Sequence, residues 1–167
     1  MNAVYIADYY EQPIWFFAGS PEDALVSKCP LEPPFTCGFF LFDPSWNSDR
    51  LRGLILQLLE RGCVSMAFFG QRSEEAHDLA DRVFVEGGLF EERFAGPGDT
   101  LMTTGHKGVP LSDALFDLFC TAITTRGFTS SGYYVFSFGS PDENSRLRVL
   151  LSDPIETIRR VLARDQN

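Results

Sequence analysis

The strongest constraint on this chain is the alternation of short, nearly unbroken apolar runs with amphipathic segments of helical length. Pro13–Ala18 (PIWFFA), Cys37–Asp43 (CGFFLFD), Cys63–Phe69 (CVSMAFF) and Gly132–Phe138 (GYYVFSF) are rich in aromatic and β-branched side chains. Turn-forming residues bound them, which is the pattern of strands. They are apolar at successive positions, not alternate ones, and so suit strands buried on both faces.

The segments between them read as helices. Ser20 or Pro21 opens a short one through about Lys28, with Glu22 and Asp23 suited to its first turn. Residues 29–36 carry three prolines and must be extended or turning. Asn47 or Ser48 caps a helix to Arg61, with Leu51, Leu54, Ile55, Leu58 and Leu59 on one face and Gly62 as its terminator. Ser73 caps the next helix, which runs to about Val85. Residues 87–100 are glycine-rich and loop-like, and Leu101–Thr104 suits a short strand. Ser112 caps a helix whose apolar stripe is Ala114, Leu115, Leu118, Phe119, Ala122 and Ile123. The turn Gly139–Asn144 is too short for a parallel crossover, so Arg146–Leu151 (RLRVLL) is expected to pair with Gly132–Phe138 as an antiparallel hairpin. A last helix covers about Pro154 to Ala163.

Strand and helix in this order imply βαβ units and a largely parallel sheet. The expected fold is a single α/β domain over residues 1–167, a three-layer α/β/α sandwich. Its mixed sheet has five or six mostly parallel strands, with a C-terminal antiparallel hairpin at one edge.

At 167 residues the chain suits one domain that buries a core without disulfides. The net charge of −9 argues against nucleic acid or an anionic membrane as partner, because both demand clustered Lys and Arg. It favours a basic protein partner or a cationic small molecule. Cys29, Cys37, Cys63 and Cys120 form no C-x-x-C pair or zinc spacing, and Cys63 and Cys120 read as buried thiols. The N-terminus lacks a secretory signal, no apolar stretch is long enough to span a membrane, and a reducing cytoplasm is the expected compartment.

In open α/β sheets, ligands gather at the carboxyl ends of the parallel strands. Here those ends bring Asp43, Arg72, Ser73, Thr104 and Lys107 to one rim as candidate ligand-binding residues. His77 and Asp81 share a helix face at i, i+4, and His106 follows a strand end. With Asp81 orienting His77, these three are the candidate base, orienter and electrophile, or ligands for a divalent ion. The chain has no H-E-x-x-H, no G-x-S-x-G elbow, no dinucleotide fingerprint and no Walker motif, so no metal or cofactor is expected and enzyme status stays open. The arginines Arg146, Arg148, Arg159, Arg160 and Arg164 concentrate near the C-terminus, where they suit a cationic patch or helix-end complements to the macrodipole.

The segment Phe68–Phe119 resembles a family of small, uncharacterised bacterial α/β domains. The likeness lies in an aromatic-Gly step (Phe69-Gly70), a His-Asp-x-x-Asp helix (His77, Asp78, Asp81) and a Thr-Thr-x-His strand (Thr103, Thr104, Gly105, His106). Where that family commonly carries Trp, this chain carries Gly105. The resemblance implies that His77, Asp81 and His106 belong to one neighbourhood and supplies no reaction.

Three roles are compatible with these residues. The first is a small acidic protein-binding module, such as an immunity or antitoxin-like protein that neutralises a basic partner. The second is a small-ligand-binding protein or enzyme that uses the strand-end rim. The third is a structural subunit of a larger assembly.

Overall fold

The computed structural model describes residues 2–87, 101–121 and 130–164. Six strands, β1 (Val4–Tyr9), β2 (Gln12–Ala18), β3 (Phe35–Leu41), β4 (Cys63–Gly70), β5 (Met102–His106) and β6 (Tyr133–Phe138), form one sheet in the order β1-β2-β6-β3-β4-β5. Every pairing is parallel except β1 with β2. The helices are α1 (Pro21–Leu25), α2 (Ser48–Glu60), α3 (Ser73–Glu86), α4 (Leu111–Phe116), α5 (Pro141–Ser152) and α6 (Pro154–Arg164), and α4 runs on into a π-helical turn, Asp117–Thr121.

The apolar runs do what their composition demands. Alternate residues of each strand point to opposite faces, so both sides of the sheet are apolar and both need covering. One core sets Phe17, Phe39, Phe68 and Phe136 against α1, α2 and α3. The other sets Phe40, Phe69 and Val135 against α4, α5 and α6. The result is the three-layer sandwich. The apolar stripe of α2, from Leu51 to Leu59, is buried throughout, each side chain stabilising the fold by roughly 1.5–3 kcal/mol.

Aligned aromatic residues form cross-strand rows. Phe39 stacks between Phe68 (4.8 Å) and Phe136 (5.0 Å) on one face. On the other, Phe40 stacks on Phe69 (4.8 Å), and Phe69 on His106 (5.1 Å). Offset stacking of this kind adds to area burial.

The expected C-terminal hairpin is not formed. Arg146–Leu151 lies inside helix α5, which starts at a capping box: the Ser140 hydroxyl accepts from the Glu143 amide and the Glu143 carboxylate accepts from the Ser140 amide. Leu147 and Leu151, one turn apart, are fully buried, so a helical period governs a stretch that reads as a strand by local alternation. The antiparallel strand is at the other end of the chain. β1 and β2 form a hairpin whose two turn residues, Tyr10 (φ 46°) and Glu11 (φ 68°), both take the left-handed conformation that a two-residue turn requires.

Two further expectations shift. Ser73 is the first residue of α3 and does not cap it, and α4 starts after Pro110 with Ser112 inside its first turn. Cys63 is buried as expected, whereas Cys120 is half-buried with its thiol 3.5 Å from the Tyr9 hydroxyl. Residues 88–100 of the expected loop, and Ala122 and Ile123 of the expected stripe, lie outside the described residues. Among the described residues no helix is long and apolar enough to cross a membrane.

Candidate functional site

Strand order decides where a crevice can open. β2, β3 and β4 lead into α1, α2 and α3 on one face, whereas β5 and β6 lead into α4 and α5 on the other. Neighbouring strands whose connections leave to opposite faces part at their carboxyl ends. That occurs on both sides of β6 and again between β4 and β5.

The crevices beside β6 are closed. The Gly19 amide donates to the Ser137 carbonyl (3.2 Å) and the Asp43 amide to the Phe138 carbonyl (2.9 Å), extending the sheet past the strand ends. The turns Gly19-Ser20-Pro21 and Gly139-Ser140-Pro141 each end in a capping box: the Ser20 and Ser140 hydroxyls accept from the Asp23 and Glu143 amides, and the Asp23 and Glu143 carboxylates accept from the Ser20 and Ser140 amides. Asp43 is committed to its own loop: its carboxylate accepts from the Ser45 amide (2.8 Å) and hydroxyl (2.6 Å), which hold it below the usual carboxylate range.

The ends of β3, β4 and β5 are different. Arg72 occupies the N-cap position of α3 and provides no side-chain cap. The Arg72 guanidinium donates to Glu75 through Nε and Nη2 and to the Pro44 carbonyl through Nη1 (2.7 Å), and it lies 4.2 Å over the Trp46 ring. Through that bond it holds the Glu75 carboxyl below the usual range. Beside this cluster an open groove of about 610 Å³ is lined by Trp46, Ser48, Arg72, Glu75, Asp78, Leu79, Asp81 and Arg82.

On the α3 side of β5, the Thr103 hydroxyl donates to Asp81 (2.5 Å), and His77 sits between Asp78 (3.5 Å) and Asp81 (3.6 Å). A Cβ on Gly105 would come within 3.3 Å of the His77 Cβ and 3.2 Å of the Ser73 carbonyl, so the bare backbone lets α3 approach β5 closely. On the other side, His106 faces α4 and the π-helical turn, with its Nδ1 3.3 Å from the Asp117 carboxylate. Burial pushes the Asp117 carboxyl up from its ordinary value, and His106 opposes the shift.

The structure therefore joins His77 to Asp81, sets His106 on the opposite face of the same strand, and places Arg72 and Ser73 at the adjoining helix start. Thr104 is half-buried on the His106 side by strand alternation, and Lys107 is exposed beyond the strand. Among the described residues, no cluster of His, Cys, Asp and Glu is arranged to hold a metal ion. Asp117 is absent from the sequence-based candidates. Its one local signal is a carboxylate set between Leu115 and Leu118, both fully buried.

Three side-chain polar atoms among the described residues are buried without a hydrogen-bond partner: Trp46 Nε1, Ser73 Oγ and His106 Nε2. They follow β3, follow β4 and end β5, respectively. Buried polar atoms in native proteins are nearly always satisfied, so each exception needs a cause, and ligand or water binding is one such cause.

No curated protein and no solved structure matches the chain. A family model described as a domain of unknown function (DUF7684) matches residues 14–154, from β2 to the start of α6. By that match over most of its length, the chain belongs to the DUF7684 family.

Proposed function

We propose that this chain is a small-ligand-binding α/β domain whose site is the rim at the carboxyl ends of β3, β4 and β5. One observation carries the reading: of the three unpartnered buried polar atoms among the described residues, two follow β3 and β4 and the third ends β5, three neighbours in the sheet. His106 is the side chain best prepared to meet a ligand. Asp117 orients it through Nδ1, Phe69 fixes the ring plane, and Nε2 is left without a partner. Orientation of one ring nitrogen by a carboxylate defines what the other can do.

A thermal-shift screen of divalent metals, nucleotides and small metabolites tests the reading on wild type and His106→Phe. The substitution keeps the aromatic row and removes both ring nitrogens. A compound that raises the wild-type midpoint and leaves the variant unmoved is expected. Stabilisation of both to the same extent by every hit would sink the reading.

A second reading, a protein-binding module for a basic partner, is favoured by the outer surface of α3, where Glu74, Glu75, Asp78, Asp81 and Glu86 are exposed. Acidic faces of this kind steer basic partners. An immunity or antitoxin-like role fits the same surface. Affinity capture from native lysate with wild type and Asp78→Lys/Asp81→Lys tests it: a basic protein recovered equally by both would count against this face.

A further inference from the structure

We propose that the rim ligand carries a phosphoryl group and that this group is held at the N-terminus of α3. The inference rests on the rim reading and adds the ligand's chemistry to it.

The first argument is the nature of what is unsatisfied. The first amides of any helix lack intrahelical acceptors. Among the described helices longer than eight residues, α2, α5 and α6 supply acceptors from Asn47, Ser140 and Asp153. α3, with 14 residues, supplies none.

The second argument is independent of the helix end. Ser73 is wholly buried and its hydroxyl has no partner, although it is the first residue of α3. As the first residue of α3, Ser73 places this hydroxyl in the first turn, where Cα–Cβ bonds tilt toward the helix start. Trp46 is 7% exposed and its indole N–H is likewise unpartnered. An indole N–H can only donate, and a serine hydroxyl can donate.

The third argument is Arg72, which stacks on Trp46 and uses three of its N–H groups on Glu75 and Pro44. A guanidinium has five, so two remain. The open groups at this corner are thus donors: helix amides, a hydroxyl, an indole N–H and two guanidinium N–H. A partner that satisfies them is rich in acceptor oxygens and negatively charged, and a phosphoryl group at a helix start meets both conditions. Three carboxylates on the same helix, Glu74, Glu75 and Asp78, oppose the anion. They set a modest affinity that should rise in Glu74→Gln.

The test is an amide and indole ¹H–¹⁵N shift titration with inorganic phosphate and, separately, a nucleoside monophosphate. Saturable shifts at the Ser73, Glu74 and Glu75 amides and the Trp46 indole are expected, with the capped starts of α1 and α5 unmoved. Affinity should fall about tenfold or more in Arg72→Gln, as loss of a charged hydrogen bond implies. Ser73→Ala, which removes only the hydroxyl, should weaken it less. Tighter binding of the nucleotide identifies a phosphate ester as the ligand, and equal binding identifies the free anion. Phosphate that moves none of these resonances overturns the inference. An uncharged hit that shifts Trp46 and His106 but not the α3 amides also overturns it while leaving the rim reading intact. The rim reading fails separately, if no compound moves the rim or if every hit stabilises wild type and His106→Phe alike.

Discussion

The turns that follow β2 and β6 and the turn that follows β4 solve the same problem in opposite ways. Each leads from a parallel strand into a helix. After β2 and β6 the chain writes Gly-Ser-Pro and an acidic residue three positions past the serine, and Ser20 and Ser140 each close a capping box. After β4 it writes Gly70-Gln71-Arg72-Ser73, and the helix starts with no cap and a buried hydroxyl that bonds to nothing. Closed helix starts lie where neighbouring strand ends are stitched together by backbone hydrogen bonds. The open one lies where β4 and β5 send their connections to opposite faces. The difference teaches that this chain has the means to satisfy a helix start and does not use it after β4, beside the switch point that no backbone hydrogen bond among the described residues closes.

The largest effect expected from challenging this comparison is in the turn itself. Gly70 takes φ +129°, and a Cβ there would lie 2.3 Å from the Leu41 carbonyl oxygen. Gly70→Ala should cost about 3 kcal/mol or more in denaturant unfolding, because both the conformation and the contact exclude a side chain. A loss under about 1 kcal/mol would mean that the β4 turn relaxes freely, against a preformed corner. Next in size is Ser140→Ala, which removes the cap of the 12-residue α5 and should cost about 1 kcal/mol.

These contrasts show how far the sequence was legible. The apolar runs of β2, β3, β4 and β6 and the stripe of α2 announced themselves, because burial on both faces demands unbroken hydrophobicity. β1 did not: its turn uses Tyr10 and Glu11 in left-handed conformations without the Asn or Gly that normally marks a hairpin. α5 reads locally as a strand because R-L-R-V-L-L alternates, although Ser140 and Glu143 spell a helix start. Of the candidate site, Arg72, Ser73 and His106 were reachable from strand-end logic. Asp117 was not, since only the return of the chain under β5 brings it to His106.

A smaller effect is expected from Asp117, whose carboxyl is raised by burial. The native state keeps a proton that the unfolded chain releases near its ordinary value of about 3.9. This contribution to stability is full below that value and is lost as pH rises through the raised native one. Asp117→Asn lacks the loss, so the denaturation midpoint of the variant should gain on wild type as pH rises from about 4 toward neutrality. A pH-independent difference would mean that burial does not disfavour the charged carboxylate.

The most direct measurement is the smallest effect: denaturant unfolding of Ser73→Ala without ligand, beside wild type and Ser140→Ala. An unpartnered buried hydroxyl contributes nothing to the free fold, so Ser73→Ala is expected to match or slightly exceed wild-type stability. A loss of about 1 kcal/mol, equal to that of Ser140→Ala, would show that Ser73 is already satisfied in the free protein. The α3 corner would then be as closed as the other two, and the contradiction would reach the central claim.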